Sequence, residues 1–257
     1  MKFIKMQGLG NDYIFLNCLD GEPADLPELA VRMSDRHFGA GSDGLICLCP
    51  SELGDFRMRM FNADGSEGEM CGNGIRCLAK YIRDCGLSKK TVLDIETGAG
   101  LRRTELLDGA VRVDMGPPLV SPPVEVEALG RSWRLTPVSI GNPHGVIFQA
   151  GIGALPLSTI GPALEQHPAF PGGINVEFAE VIDRNTLRMR VWERGSGETL
   201  ACGTGACAAL AAAASAGLTE RTAQVELPGG TLEICWDENT IFLIGPAVTV
   251  YKGEYLL

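Results

Sequence analysis

Two short segments of the chain are near copies of one another, and each is built on a cysteine. Glu69-Met70-Cys71-Gly72-Asn73-Gly74 and Leu200-Ala201-Cys202-Gly203-Thr204-Gly205 both read Cys-Gly-x-Gly. Each runs into a stretch of helix formers closed by a glycine: Gly74–Cys85 before Gly86, and Thr204–Ala216 before Gly217. The two cysteines lie about half a chain length apart in 257 residues. That spacing predicts a duplicated fold in which each half presents one cysteine at the start of one helix.

The flanking pattern repeats in the same way. Met1–Asn17 alternates apolar and polar residues around Gly8-Leu9-Gly10-Asn11-Asp12, which predicts two strands and a turn. A helix is expected over Pro27–His37, and strands at Leu45–Leu48, Phe56–Asn62, Val92–Glu96, Leu101–Leu107 and Val111–Met115. Gly116-Pro117-Pro118 and Ser121-Pro122-Pro123 then break the pattern as a linker would. Beyond it come strands at Trp133–Ile140 and Val146–Gln149, a helix at Ile160–Gln166, and strands at Asn175–Val181 and Leu187–Val191. Three more follow the second cysteine helix, at Ala223–Leu227, Thr231–Trp236 and Thr240–Ile244. The halves are therefore read as 1–115 and 116–247, with a strand in 248–257 available to complete the first. The class is α+β (mixed α/β), with short, chiefly antiparallel strands in curled or closed sheets. Ala206–Ala216 is uncharged and small on every face, which suits a helix enclosed on all sides.

Composition excludes some partners. With 32 acidic against 22 basic residues the net charge is −10, which is unsuited to nucleic acid. No apolar run reaches membrane-spanning length without turn residues, and the N-terminus does not read as a signal peptide. The chain reads as cytoplasmic. Nine cysteines, an odd count, argue against a disulfide scaffold. Cys47-Leu48-Cys49 puts two thiols on one face of a strand without a further ligand pair, so no metal site is expected. Cys18, Cys85 and Cys235 read as isolated small hydrophobes, and Cys77 and Cys207 as helix core.

The chemistry points to the two matched cysteines. A helix N-terminus offers unpaired N–H groups and a partial positive charge. A thiol there is expected to have a lowered pKa, and the same N–H groups can bind a carboxylate. The glycines are expected to allow close backbone approach and unusual φ. Two such thiols suit proton removal from one face of a carbon and proton return to the other. A redox or metal-binding pair remains open on the residues alone, but Cys-x-x-Cys spacing and histidine ligands are missing. Lys80, Lys89 and Lys90 are spaced as surface charges, and Gly8-Leu9-Gly10 lacks the third glycine of a dinucleotide fingerprint, so no cofactor is expected.

Asn62-Ala63-Asp64-Gly65-Ser66 with Glu69-Met70-Cys71-Gly72-Asn73-Gly74-Ile75-Arg76 resembles the first active-site signature of the diaminopimelate epimerase family. Glu193-Arg194-Gly195 with Gly197-Glu198-Thr199-Leu200-Ala201-Cys202-Gly203-Thr204-Gly205 resembles the second. Gly8–Asp12, Gly141-Asn142-Pro143-His144 and Asn175-Val176-Glu177-Phe178 match in order along nearly the whole chain. The resemblance implies two pseudo-symmetric halves, each a strand-rich barrel-like sheet around a central helix, with the active site between them. It implies cofactor-independent interconversion of LL- and meso-diaminopimelate, and a homodimer. Cys71 and Cys202 would be the acid/base thiols, assisted by His144 and Glu193. Asn11, Asn62, Asn142, Asn175 and Arg194 would bind the distal amino-acid end, with Glu193 also near the substrate. Gly72, Asn73, Gly203 and Thr204 would hold the reacting carboxylate. Some relatives carry glutamine where this chain has Gly44, so any contact from that side chain is absent here.

Overall fold

The first turn of the chain fixes the register of its first hairpin. In the computed structural model, which describes residues 1–256, strands β1 (Lys2–Gly8) and β2 (Asn11–Asn17) pair antiparallel with Gly8 opposite Asn11. Leu257, at the end of the C-terminal segment read above, lies outside the described residues. The two loop residues, Leu9 (φ 58) and Gly10 (φ 86), are both left-handed. Such a pair matches the twist of the strands it joins.

Helix α1 (Leu26–Ser34) follows, then β3 (Gly44–Cys49), β4 (Phe56–Asn62), the short β5 (Glu67–Gly68) and helix α2 (Gly72–Asp84). Strands β6 (Val92–Thr97), β7 (Gly100–Leu106) and β8 (Val111–Asp114) complete this run. The next elements are β9 (Leu119–Val120), β10 (Val124–Ala128), β11 (Arg131–Ser139) and β12 (Pro143–Phe148). Then come α3 (Leu157–Glu165), β13 (Asn175–Asp183), β14 (Thr186–Glu193), the short β15 (Gly197–Thr199) and α4 (Gly203–Ser215). Strands β16 (Thr222–Leu227), β17 (Gly230–Trp236), β18 (Ile241–Gly245) and β19 (Val248–Glu254) end the chain. Two compact units result: Met1–Asp114 with the chain from Gly245 onward, and Met115–Ile244.

Within the first unit the strand order is β19–β1–β2–β3–β4–β6–β7–β8, with β5 hairpinned onto β4. Within the second it runs from β10 through β11, β12, β13, β14 and β16 to β18, with β15 on β14 and β9 on β11. The pairings repeat one for one. The strands β2 and β3 are parallel, as are β4 and β6, and their counterparts β12 with β13 and β14 with β16 are parallel too. The expectation of mainly antiparallel strands therefore needs correcting at these four places. Each parallel pair is bridged by a helix, the connection that parallel pairing requires.

In both units the sheet has a helix on each face. The outer face of the first packs Ile14, Leu16, Leu45 and Cys47 against Leu29, Ala30 and Met33 of α1. Its inner face turns Phe15 onto Tyr81 of α2, ring centroids 5.8 Å apart. Strand β3 is buried along its whole length, as expected for a strand covered on both sides. Helix α2 touches β1, β2 and β3 at one side and β7 and β8 at the other, so the sheet curls around it. In the second unit α4 likewise touches strands from β9 and β11 round to β17. All of Ala206 and Ala208–Ala213 are buried, as the small uncharged run implied. Helix α3 covers the other face, its Leu164 sharing one cluster with Trp133, Ile147 and Phe178 of β11, β12 and β13.

Several expectations differ in detail. Residues 116–123 are not only a linker, since Leu119 and Val120 pair with Ser139 and Val138. The β10–β11 hairpin begins at Val124, in a Glu-rich stretch with a single buried residue, which hid its alternation. Cys18 is not isolated. Its thiol lies against those of Cys47 and Cys49; the Cys47 contact and burial push it up to about 12, against the opposing pull of Cys49. A thiol so held is protonated and poorly nucleophilic.

Candidate active site

The Cys-Gly-x-Gly segments are helix caps. Cys71 is the N-cap of α2, and its sulfur accepts the Gly74 N–H at 3.5 Å. Cys202 is the N-cap of α4, and its sulfur accepts the Gly205 N–H at 3.4 Å. Both cap residues have extended backbone. Sulfur here takes the place that a serine or aspartate oxygen usually fills. The helices begin at Gly72 and Gly203, slightly earlier than the sequence indicated.

The second glycine of each motif is not needed for unusual φ, because Gly74 and Gly205 lie in regular helix; what differs between them is the neighbour a Cβ would meet. A Cβ on Gly74 would stand 2.6 Å from Cδ1 of Ile46. A Cβ on Gly205 would stand 2.7 Å from Oε1 of Glu177. The first neighbour is the free end of an apolar side chain, whereas the second is pinned by His144. Gly74→Ala should therefore be nearly neutral, since Ile46 can rotate and alanine gains up to about 1 kcal/mol of helix propensity. Gly205→Ala should lose about 1–3 kcal/mol by overpacking. Urea unfolding midpoints of the two variants check the contrast.

In the first unit three expected residues converge. The Cys71 thiol donates to Oδ1 of Asn11 at 3.4 Å, and Nδ2 of Asn73 donates to the same oxygen at 3.3 Å. Nδ2 of Asn11 is fixed by Oδ2 of Asp43 at 2.8 Å, and Asp43 is linked through Arg36 to Asp12. Asn62 closes the turn at the end of β4 by donating to Oγ of Ser66 at 2.9 Å. Gly72 and Asn73 are buried in the first turn of α2. Sequence reasoning missed Tyr13. Its phenol, buried beside Cys71 and Asn11, is held well above its usual range, first by burial and then by the thiol. No motif marks it; only its position two residues after Asn11 on the inner face of β2 could have.

The second unit gathers most of the expected set. His144 is fully buried on β12, with Nδ1 2.6 Å from Oε1 of Glu177 and Nε2 2.9 Å from Oδ1 of Asn142. Nδ2 of Asn142 donates to Oγ1 of Thr204 at 3.4 Å, and that hydroxyl lies 3.5 Å from the Cys202 sulfur. Gly203 is buried beside it. Glu193 ends β14 and accepts the Thr199 hydroxyl. Its carboxyl is pushed up by burial and by Glu177, against the Thr199 hydrogen bond. Asn175 donates to the Pro143 carbonyl at 2.8 Å and accepts the Arg194 N–H at 2.9 Å. One amide N–H and one lone pair are left for a ligand. Exposed Arg194 uses one donor on the Gly172 carbonyl, at 2.9 Å. Asn11 and Asn142, expected at the distal end of a substrate, thus sit at the thiols as well.

One electrostatic expectation is overturned. Burial is the largest influence on Cys202, and Glu193 and Glu177 add to it, so its thiol is held well above the ordinary range. The Gly205 N–H and Thr204 hydroxyl pull the other way but do not prevail. The helix N-terminus alone would have favoured the thiolate. Desolvation and two nearby carboxylates outweigh it.

Ladder register relates the two sets position by position. Asn11 and Asn142 start β2 and precede β12. Tyr13 faces Gly44 as His144 faces Asn175, which makes Tyr13 and His144 equivalent. Two residues on, Ile46 corresponds to Glu177. Leu45 opposite Phe61 matches Val176 opposite Trp192, so Asn62 corresponds to Glu193. A Cβ at Gly44 would stand 2.3 Å from the Phe61 carbonyl oxygen and 3.1 Å from Cε1 of Tyr13.

Comparison with known proteins agrees with this doubling. The sequence model of one family, described as Diaminopimelate epimerase, matches twice, over residues 3–120 and 136–253. The chain belongs to the diaminopimelate epimerase family. The diaminopimelate epimerase of Acetivibrio thermocellus is 52% identical over 276 residues, covering 99% of this chain and 98% of that one. That of Desulfovibrio desulfuricans is 50% identical, covering 100% and 99%. The fold is shared more widely. A phenazine biosynthesis protein of the PhzF family from Bacillus anthracis superposes with a TM-score of 0.77 at 17% identity, covering 100% and 99%. Among the described residues of this diaminopimelate epimerase family member, no cluster of His, Cys, Asp and Glu could hold a metal ion. No helix among them is long and apolar enough to cross a membrane.

Proposed function

We propose that the protein interconverts LL- and meso-2,6-diaminopimelate without a cofactor, as an isomerase of lysine and peptidoglycan-precursor synthesis. Cys71 and Cys202 are its acid/base pair. The observation that carries this reading is the matched capping of α2 and α4 by the two cysteines, in a chain about half identical to diaminopimelate epimerases over its full length. Each sulfur then occupies the place where a helix terminus presents its unpaired N–H groups.

The reaction needs an α-hydrogen removed from one face of a carbon and another returned to the opposite face. One thiolate takes the proton as the other thiol gives one, and the roles exchange for the reverse direction. At rest Cys202 is protonated, held so by burial and by Glu193 and Glu177. The reacting carboxylate is received by the first-turn N–H groups at Gly72, Asn73, Gly203 and Thr204. Asn11 and Asn142 hold the thiols and the substrate beside them. Asn62, Asn175 and Arg194 take the distal amino-acid end, where a guanidinium can bind a carboxylate through two parallel hydrogen bonds. His144 and Glu193 assist at Cys202.

Chiral chromatography of dialysed, reduced protein incubated with LL-diaminopimelate tests the reading. Meso product with no added cofactor is expected, and proline should be left unchanged. No conversion by folded, reduced protein, or equal turnover of proline, would overturn it. We further propose a cytoplasmic homodimer. No disulfide joins the nine cysteines, which suits a reducing compartment. The exposed apolar residues Val248, Val250 and Tyr251 on β19 are suited to burial against a second copy.

A further inference from the structure

We infer that Glu165 is a positioning residue for substrate recognition: it clips the Trp192–Gly195 segment onto α3, so that the Arg194 guanidinium is presented as a fixed receptor for a carboxylate remote from the reacting carbon. The inference rests on the distal-end role proposed for Arg194 and extends it to a helix outside both cysteine signatures.

One side chain makes the clip. Glu165 is the last residue of α3. Its Oε2 accepts the indole N–H of Trp192 at 2.7 Å, and its Oε1 accepts the backbone N–H of Gly195 at 3.0 Å. Both partners can only donate, so the direction of each bond is settled. Helix stability does not account for the residue, because an acidic group in the last turn opposes the helix dipole. The indole is seated as well as bonded. A Cβ on Gly161 of α3 would stand 2.2 Å from Cδ2 of Trp192, so the ring lies flush on the helix.

The chain between α3 and β13 holds Arg194 from the other side. Oδ1 of Asn175 accepts the Arg194 N–H at 2.9 Å, next to the Gly195 N–H taken by Glu165. The Gly172 carbonyl accepts Nη1 at 2.9 Å. A Cβ on Gly173 would stand 3.0 Å from Cδ of Arg194, so the stem crosses directly over that glycine. The Glu165 carbonyl accepts the Ile174 N–H at 3.1 Å and closes this platform. An exposed arginine ordinarily samples many rotamers, but here the backbone on both sides and the stem are held. The rest of its five-donor fork is left for a ligand, and a planar fork held still suits the two oxygens of a carboxylate. Glu193, in the same turn, is secured by other means. Its carboxyl accepts the Thr199 hydroxyl, and its backbone pairs with Gly197 in the β14–β15 ladder. Loss of the clip therefore falls on Arg194 rather than on Glu193.

The test is steady-state kinetics of the full chain with LL-diaminopimelate, run on the unmodified protein, Glu165→Gln, Arg194→Lys and the double variant. Glutamine has one acceptor oxygen where the carboxylate has two, so it cannot serve Trp192 and Gly195 together. In Glu165→Gln, KM should rise about 10-fold, the scale of a weakened charge-assisted hydrogen bond. Its kcat should stay within about twofold, because a contact far from the reacting carbon is made alike before and in the transition state. In the double variant KM should match that of Arg194→Lys, since a residue acting through Arg194 has nothing left to position. A merely structural Glu165 would instead add its effect to that of Arg194→Lys. Proton NMR follows the clip itself: the Trp192 indole N–H, assigned by its loss in Trp192→Phe, should shift in Glu165→Gln. An unchanged KM in folded Glu165→Gln, a fall in kcat alone, additive KM effects or an unmoved indole resonance overturns the inference. If Glu165→Gln fails to fold, Trp192→Phe decides, because it deletes one donor and keeps a ring against Gly161. Its KM should rise, and an unchanged value overturns the inference. An unmodified protein without epimerase activity sinks the reading and the inference together, whereas an active one with unmoved KM in the variants sinks the inference alone.

Discussion

Cys202→Ala is expected to lower the epimerisation rate by at least about 10²–10⁴-fold, the usual contribution of a single positioned acid or base, and Cys71→Ala should do the same. Each sulfur serves only one face of the carbon, so neither thiol can substitute for the other. Removing either one stops inversion in both directions, because the equilibrium constant ties the two directions together. The folded structure should survive. Each sulfur accepts one backbone N–H, and loss of a helix cap costs about 0.5–2 kcal/mol. A rate measurement with circular dichroism on the same samples checks both parts. A double variant should be no slower than the worse single variant, since the thiols act as one unit.

Ala209→Leu is expected to give the largest loss of stability, at or above the upper end of the about 1–3 kcal/mol typical of overpacking. Ala209 is fully buried, and so are Ala208, Leu210 and Ala211 around it on α4. The surrounding strands, from β11 to β17, close around the helix and leave no open side. Leucine and alanine have similar helix propensities, so the loss reports space alone. Ser215→Leu, at the exposed end of the same helix, is the control and should change stability by no more than about 0.5 kcal/mol. Urea unfolding of the two variants measures the difference.

The duplication was legible in the sequence because the two cysteine signatures survive as near copies. Its depth was not. Tyr13 and His144, Ile46 and Glu177, and Asn62 and Glu193 occupy matching positions yet share no chemistry, so only the ladder registers reveal them as pairs. The buried alanine helix was readable because eleven uncharged residues of small average bulk have few other uses. Parallel pairing was hidden for a physical reason. A strand such as Gly44–Cys49, buried on both faces, carries no alternation to mark its partner's direction.

The candidate site followed the same division. Both cysteines, and the asparagines, histidine and glutamate of the signatures, could be named from motif and resemblance. Their hydrogen-bond partners could not. Glu177 stood inside a quoted motif, but nothing in Asn175-Val176-Glu177-Phe178 says that its carboxylate turns inward onto His144. The lowered pKa expected for Cys202 came from local helix geometry. Its opposite came from burial and from Glu193 and Glu177, which lie elsewhere in the chain.

The most direct test of the two-thiol account is proton NMR of dialysed, reduced protein incubated with LL-diaminopimelate in D₂O. A thiol exchanges its proton with solvent, so the group that delivers the new hydrogen delivers deuterium. The expected result is meso-diaminopimelate carrying deuterium at the inverted α-carbon, formed with no added cofactor. Inversion without solvent deuterium, or inversion that requires added pyridoxal phosphate, would contradict the account.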